Sequence, residues 1–191
     1  MAVMHPDIAP LLAVTQALTA AGIESALGGS GLLHSLGLIA EVRDWDLTTE
    51  ASLEQVQRAL AAFPLDFPEH AGGRYATGYR IAICAGGVDI DLMGTFAVRT
   101  AAGVCHLPTL TCGMWQGVPV GSPEVWAVAY RLMERHPKAD LLSEYLRARG
   151  ARADAVRRLL AEPLPPGLRA EVAGWPDPPA PGPWWPGGDA I

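Results

Sequence analysis

Tyr79-Arg80-Ile81-Ala82-Ile83-Cys84-Ala85-Gly86-Gly87-Val88-Asp89-Ile90-Asp91-Leu92-Met93 is the stretch on which the fold turns. Two β-rich runs flank a glycine pair, which predicts a two-residue hairpin, because the turns that match strand twist need φ > 0 at their central residues. Pairing Ala85 with Val88 sets Cys84 opposite Asp89 and Ala82 opposite Asp91. One face then carries Ile81, Ile83, Ala85, Val88, Ile90 and Leu92 and reads as core. The other face places only small side chains beside two aspartates, which leaves room for a metal and a ligand.

A second acidic pair lies upstream in Arg43-Asp44-Trp45-Asp46-Leu47, inside a run read as a strand over 42–49. Alternate residues of a strand share a face, so the members of each Asp-x-Asp pair project together. Carboxylates crowded on one face repel and lose hydration. A hard divalent cation relieves both, and an oxygen-only donor set favours Mg²⁺ or Mn²⁺. Asp44, Asp46, Asp91 and Asp89 are therefore the candidate metal ligands, with Asp91 and Asp89 competing for the third place. Either pair alone reads better as a solvated strand face than as a metal site. The two pairs together, behind a glycine turn, favour a metal site. That turn is Leu27-Gly28-Gly29-Ser30-Gly31, whose backbone could approach a phosphate closely. Arg43 is a candidate partner for a triphosphate, although it points away from Asp44.

Around these motifs the periodicity predicts a helix over 7–21 with Asp7 as N-cap and Gly22 as stop. It also predicts a short strand at 23–27, a helix over 30–38, and a helix from Ser52 to about 62. A further short strand is expected at 65–67. Residues 95–120 read as turn-rich, with short strands near 104–107 and 118–120. Ser122-Pro123-Glu124 starts a helix with a cap, a proline in the first turn and an acid. Two more helices are expected over 138–149 and 152–160. Nine of the 31 residues from Ala161 onward are proline, which predicts a largely irregular tail that could pack through Trp175, Trp184 and Trp185. The domain plan is a core over 1–121, a helical segment over 122–160 and the tail over 161–191. The fold class is α/β (α+β): a mixed, mostly antiparallel sheet flanked by helices.

The whole-chain totals limit the partners. Net charge is −6, with 14 Lys+Arg against 20 Asp+Glu, so the chain lacks the basic footprint that long nucleic acid requires. Three cysteines without a Cys-x-x-Cys fit reduced thiols better than a disulfide framework. No basic, apolar leader pattern and no membrane-length apolar run is evident, so a cytoplasmic protein without a membrane partner is expected.

The residues resemble the nucleotidyltransferase superfamily that includes DNA polymerase β, in particular its small bacterial members. The resemblance rests on Leu27-Gly28-Gly29, a short helix, Asp44-x-Asp46 and Asp91 within Ile90-Asp91-Leu92-Met93-Gly94. It extends through Ser122-Pro123-Glu124 to Arg135-His136-Pro137-Lys138-Ala139-Asp140, with Arg131 where a lysine is more usual and Ala139 where an aspartate is often found. It spans roughly residues 8 to 148.

It implies transfer of a nucleoside monophosphate from an NTP to a hydroxyl of a small molecule or a protein, with pyrophosphate released. Asp44 and Asp46 would hold a metal on the β- and γ-phosphates. With Asp91 they would hold a second metal beside the acceptor hydroxyl, whose proton Asp91 could take. Gly28, Gly29 and Ser30 would cradle phosphate oxygens. The alternative is a nucleotidyltransferase-like partner in a toxin–antitoxin pair, or a nucleotide-binding module with little turnover. A partner protein stays possible on either reading.

Overall fold

Gly86 and Gly87 take φ of +57° and +77°, so the chain reverses in two residues between β4 (Tyr79–Ala85) and β5 (Val88–Gly94). The hairpin register pairs Ala85 with Val88, Cys84 with Asp89 and Ala82 with Asp91. All six apolar residues assigned to the inner face are buried. The computed structural model describes residues 5–68 and 73–179.

Among the described residues one seven-stranded sheet organises the molecule, in the order β3-β4-β5-β2-β1-β9-β8. Its other strands are β1 (Ser25–Leu27), β2 (Trp45–Thr49), β3 (Leu65–Asp66), β8 (Thr111–Trp115) and β9 (Val118–Gly121). β2 runs parallel to β5, and β1 parallel to β9, while every other neighbour is antiparallel. The fold is thus α/β with a mixed, mostly antiparallel sheet. A separate two-stranded sheet pairs β6 (Ala97–Thr100) with β7 (Gly103–His106).

Two helices close one face of the sheet. α1 (Ile8–Ala20) is capped by Asp7, whose carboxylate accepts from Ala9 N at 3.0 Å. α3 (Leu53–Ala59) starts with a reciprocal Ser52–Gln55 capping box. Leu11, Val14 and Leu18 from α1, with Val56 and Leu60, pack on Trp45, Leu47, Ile81, Ile83, Ile90 and Leu92. The short α2 (Gly29–Ser35) follows β1 directly.

The second core lies with the C-terminal helices. α4 (Pro123–Leu132), α5 (His136–Arg149) and α6 (Ala153–Ala161) share it with Leu32, Leu33, Phe96 and Val98. Buried Glu124 ties this layer down: it accepts from the Ser122 hydroxyl and from Arg152 N. A carboxylate taken from water needs such donors.

The structure departs from the sequence reading in three places. The second strand starts at Trp45 rather than residue 42, so Asp44 stands in the lead-in bend. The stretch 95–120 contains β6 and β8 as well as the two strands expected. The proline-rich tail is not irregular throughout: α7 (Pro166–Ala173) forms there, with Leu168, Val172 and Trp175 buried. Pro165 and Pro166 stand at the N-cap and first turn, where a missing N–H and a fixed φ favour a helix. Trp184 and Trp185 lie outside the described residues. Among the described residues no helix is long and apolar enough to cross a membrane.

Candidate functional site

The parallel register of β2 on β5 sets Asp46 directly beside Asp91. Trp45, Leu47, Ile90 and Leu92 point into the core, so both aspartates project from the opposite face. Asp44 joins them from the bend before β2, and all three carboxylates line one cavity of about 340 Å³. Its remaining walls come from Ser30 of α2, from Arg80 and Met93 of the hairpin, from Tyr75, Thr77 and Phe96 near β4 and β6, and from Trp126, Met133, Arg135 and Lys138 of the helical layer.

The glycine turn fixes how the carboxylates sit. Gly28 N donates to the Asp46 carbonyl at 2.8 Å, which ties the turn to β2. A Cβ on Gly28 would meet the Trp126 indole at 1.9 Å. Neither glycine lines the cavity itself; Gly28 leaves room for Trp126 and Gly29 for the Asp46 carboxylate, both of which do. Ser30 lines it directly.

The electrostatics follow from this crowding. The Asp46 carboxyl is pushed up to about 7, first by burial and then by the charges of Asp44 and Asp91. Lys138 and Arg135 pull it the other way. The Lys138 ammonium is itself held below the usual lysine range, first by burial and then by Arg135, and it stands 5.5 Å from the centre of the Tyr130 ring. The Tyr130 hydroxyl is buried and, among the described residues, has no hydrogen-bond partner. The cavity therefore pairs an acidic floor with a basic wall on α5 and its approach.

Asp91 differs from the other two acids. Arg80 on β4 grips it through two bonds, Nε to Oδ1 at 3.1 Å and Nη2 to Oδ2 at 2.5 Å. Arg80 and Met93 also occupy the aspartate-bearing face of the hairpin, so that face is not furnished with small side chains alone. Residue parity already places Arg80 there, two positions before Ala82.

The remaining candidates fall outside the cavity lining. Asp89 shares Asp91's face but stands two residues up-strand, roughly 7 Å away, exposed near the turn. Arg43 is exposed and does not line the cavity. Arg131 pairs with Asp140 at 2.7 Å and with Glu171 of α7 at 3.2 Å, so it serves the helical layer. Arg135 was named in the resembling segment Arg135-His136-Pro137-Lys138 but given no role in the site, and the structure brings it to the cavity from the α4–α5 junction.

An oxygen-only donor set of mutually repelling carboxylates suits a hard divalent cation. Asp44 and Asp46 fit that group as they stand. Asp91 is engaged by Arg80, and among the described residues no three His, Cys, Asp or Glu side chains form a ready-made metal cluster.

No family model and no curated protein matches the chain. Solved structures do. A Thermotoga maritima protein provisionally described as a nucleotidyltransferase is similar over 73% of this chain and 91% of its own, at 21% identity and a TM-score of 0.52. The antibiotic-resistance factor ANT(2″)-Ia matches 85% of this chain and 93% of its own, at 16% identity and a TM-score of 0.48. The CCA-adding enzyme of Bacillus stearothermophilus, solved with CTP, matches 83% of this chain and 44% of its own, at 16% identity and 0.37. The first of these establishes a nucleotidyltransferase-like fold; the other two are too distant to carry an argument.

Proposed function

We propose that the protein is a divalent-metal-dependent nucleotidyltransferase that moves a nucleoside monophosphate from an NTP to a hydroxyl of a small molecule or a protein. The observation that carries this reading is the adjacency of Asp46 and Asp91 on parallel strands, with Asp44 beside them, facing Arg135 and Lys138 across one cavity. A polyanion and its counter-cations need both kinds of wall.

Asp44 and Asp46 would hold Mg²⁺ or Mn²⁺, which supplies charge neutralisation on the phosphates when bound. Arg135 and Lys138 would neutralise the triphosphate from the other side, and the Ser30 hydroxyl would donate to a phosphate oxygen. The acceptor oxygen bonds to the α-phosphorus as the bond to the bridging oxygen breaks and pyrophosphate leaves. The acceptor's proton passes to a carboxylate of the site, Asp91 being the candidate.

A second reading, nucleotide binding with little turnover, draws on the Arg80–Asp91 pair, which occupies the third carboxylate. The same assay separates the two. The protein is incubated with Mg²⁺, each labelled NTP, and panels of aminoglycosides, lincosamides and lysate proteins. Labelled product with pyrophosphate release, lost in Asp46→Asn, supports transfer. Tight Mg²⁺-dependent NTP binding without product supports the binding module, and copurification with a partner protein without turnover supports the toxin–antitoxin alternative.

A further inference from the structure

Three acids and three bases line the cavity, yet only one pair of them is joined. The guanidinium of Arg80 closes on both oxygens of Asp91, whereas Asp44, Asp46, Arg135 and Lys138 make no ion pair among the described residues. A fork that donates to both carboxylate oxygens occupies one lone pair on each, the pairs with which Asp91 would clasp a cation through both oxygens. Like charges a few ångströms apart also repel, so guanidinium and divalent cation compete for Asp91. The competition is open to displacement: the Arg80 side chain is 49% exposed, on a strand at the cavity's rim. A triphosphate offers a guanidinium the same two-oxygen geometry with more negative charge.

We propose that Arg80 is a built-in counter-cation for Asp91, which keeps the third carboxylate from divalent metal until a phosphate-bearing ligand draws the guanidinium away. Cation loading is then ordered. One position, at Asp44 and Asp46, fills in the free protein, and the other opens with the ligand. By linkage, phosphate and second cation strengthen each other by the same factor. This rests on the reading above that the site takes cation and NTP. It makes Arg80 a positioning residue, acting through Asp91.

The test counts Mn²⁺ bound by the full chain at pH 8 without nucleotide, by electron paramagnetic resonance of the free ion. Wild type is expected to bind one ion tightly, and Arg80→Gln to bind a second at least about fivefold more tightly than wild type does. Arg80→Lys keeps the charge but loses the fork and falls between them, and Arg80→Gln/Asp91→Asn returns to one ion. In a metal-free chelating buffer, inorganic tripolyphosphate should bind wild type about fivefold or more tightly than Arg80→Gln. Circular dichroism establishes that each variant is folded.

Two equally tight ions in wild type, an unchanged isotherm in Arg80→Gln, or equal tripolyphosphate affinities overturn the proposal. If wild type binds one ion and Asp46→Asn loses it while Arg80→Gln gains nothing, only the role of Arg80 falls. If no protein in the series binds Mn²⁺, the metal-site reading falls with it.

Discussion

A Cβ placed on Gly29 would lie 1.8 Å from Oδ2 of Asp46, so the glycine and the carboxylate are two halves of one close contact. Gly29 also holds φ at +55°, a region where side chains are strained. Gly29→Ala therefore has to move either the turn or the acid. We expect it to cost about 1–3 kcal/mol in stability and to weaken Mn²⁺ binding. Thermal melting and Mn²⁺ titration check the two effects, and unaltered Mn²⁺ affinity would show that Asp46 tolerates the shift.

Asp46 should give stability an unusual pH slope. Its carboxyl is raised from 3.8 to about 7, so between those values the folded chain holds a proton that the unfolded chain has lost. Stability then falls as pH rises from about 4 to 7, by on the order of 2–4 kcal/mol for this group alone. Asp46→Asn should lack that slope and be the more stable protein at pH 8. Parallel denaturant titrations at pH 5 and pH 8 measure the difference.

Arg135 and Lys138 form the basic wall, and Arg135 is exposed. Arg135→Gln and Lys138→Met should each weaken NTP binding by about tenfold, which is the loss of roughly 1.4 kcal/mol of charge-assisted contact. Melting temperatures should stay close to wild type. Calorimetric titration with a non-hydrolysable NTP reads the effect directly.

Arg131 provides the contrast. Its ion pairs with Asp140 and Glu171 join α4 to α5 and α7, away from the acids. Arg131→Ala should lower stability by about 1 kcal/mol and leave NTP affinity within twofold. A tenfold loss of affinity would move Arg131 into the site.

The parts of this structure that were legible in sequence share a cause. The hairpin declared itself because Gly86-Gly87 admits few alternatives and its six apolar residues alternate without a fault. α1, α3 and α4 announced their starts through Asp7, Ser52 and Ser122. β6 and β8 did not, since Ala97–Thr100 and Thr111–Trp115 are short and weakly patterned, although each pairs with the strand that follows it, β7 and β9. α7 hid behind its own prolines, which read as breakers when counted and as starters when placed. Within the site the acids were visible as motifs. Their bases were less so: Arg80 belongs to no short pattern, Arg135 and Lys138 stood in the resembling C-terminal segment without a firm role, and only the assembled sheet and helices bring them to the cavity.

The seat that Gly28 provides for Trp126 has a bearing on how the chain comes to life. Translation delivers the anionic floor well before α4 and α5, so a nascent chain carries repelling acids with nothing to oppose them. Whatever spans the cavity can grip only a molecule whose late helices have already docked on that glycine. A ligand that spans the cavity would thus add its binding energy only to chains whose α4 and α5 have already docked.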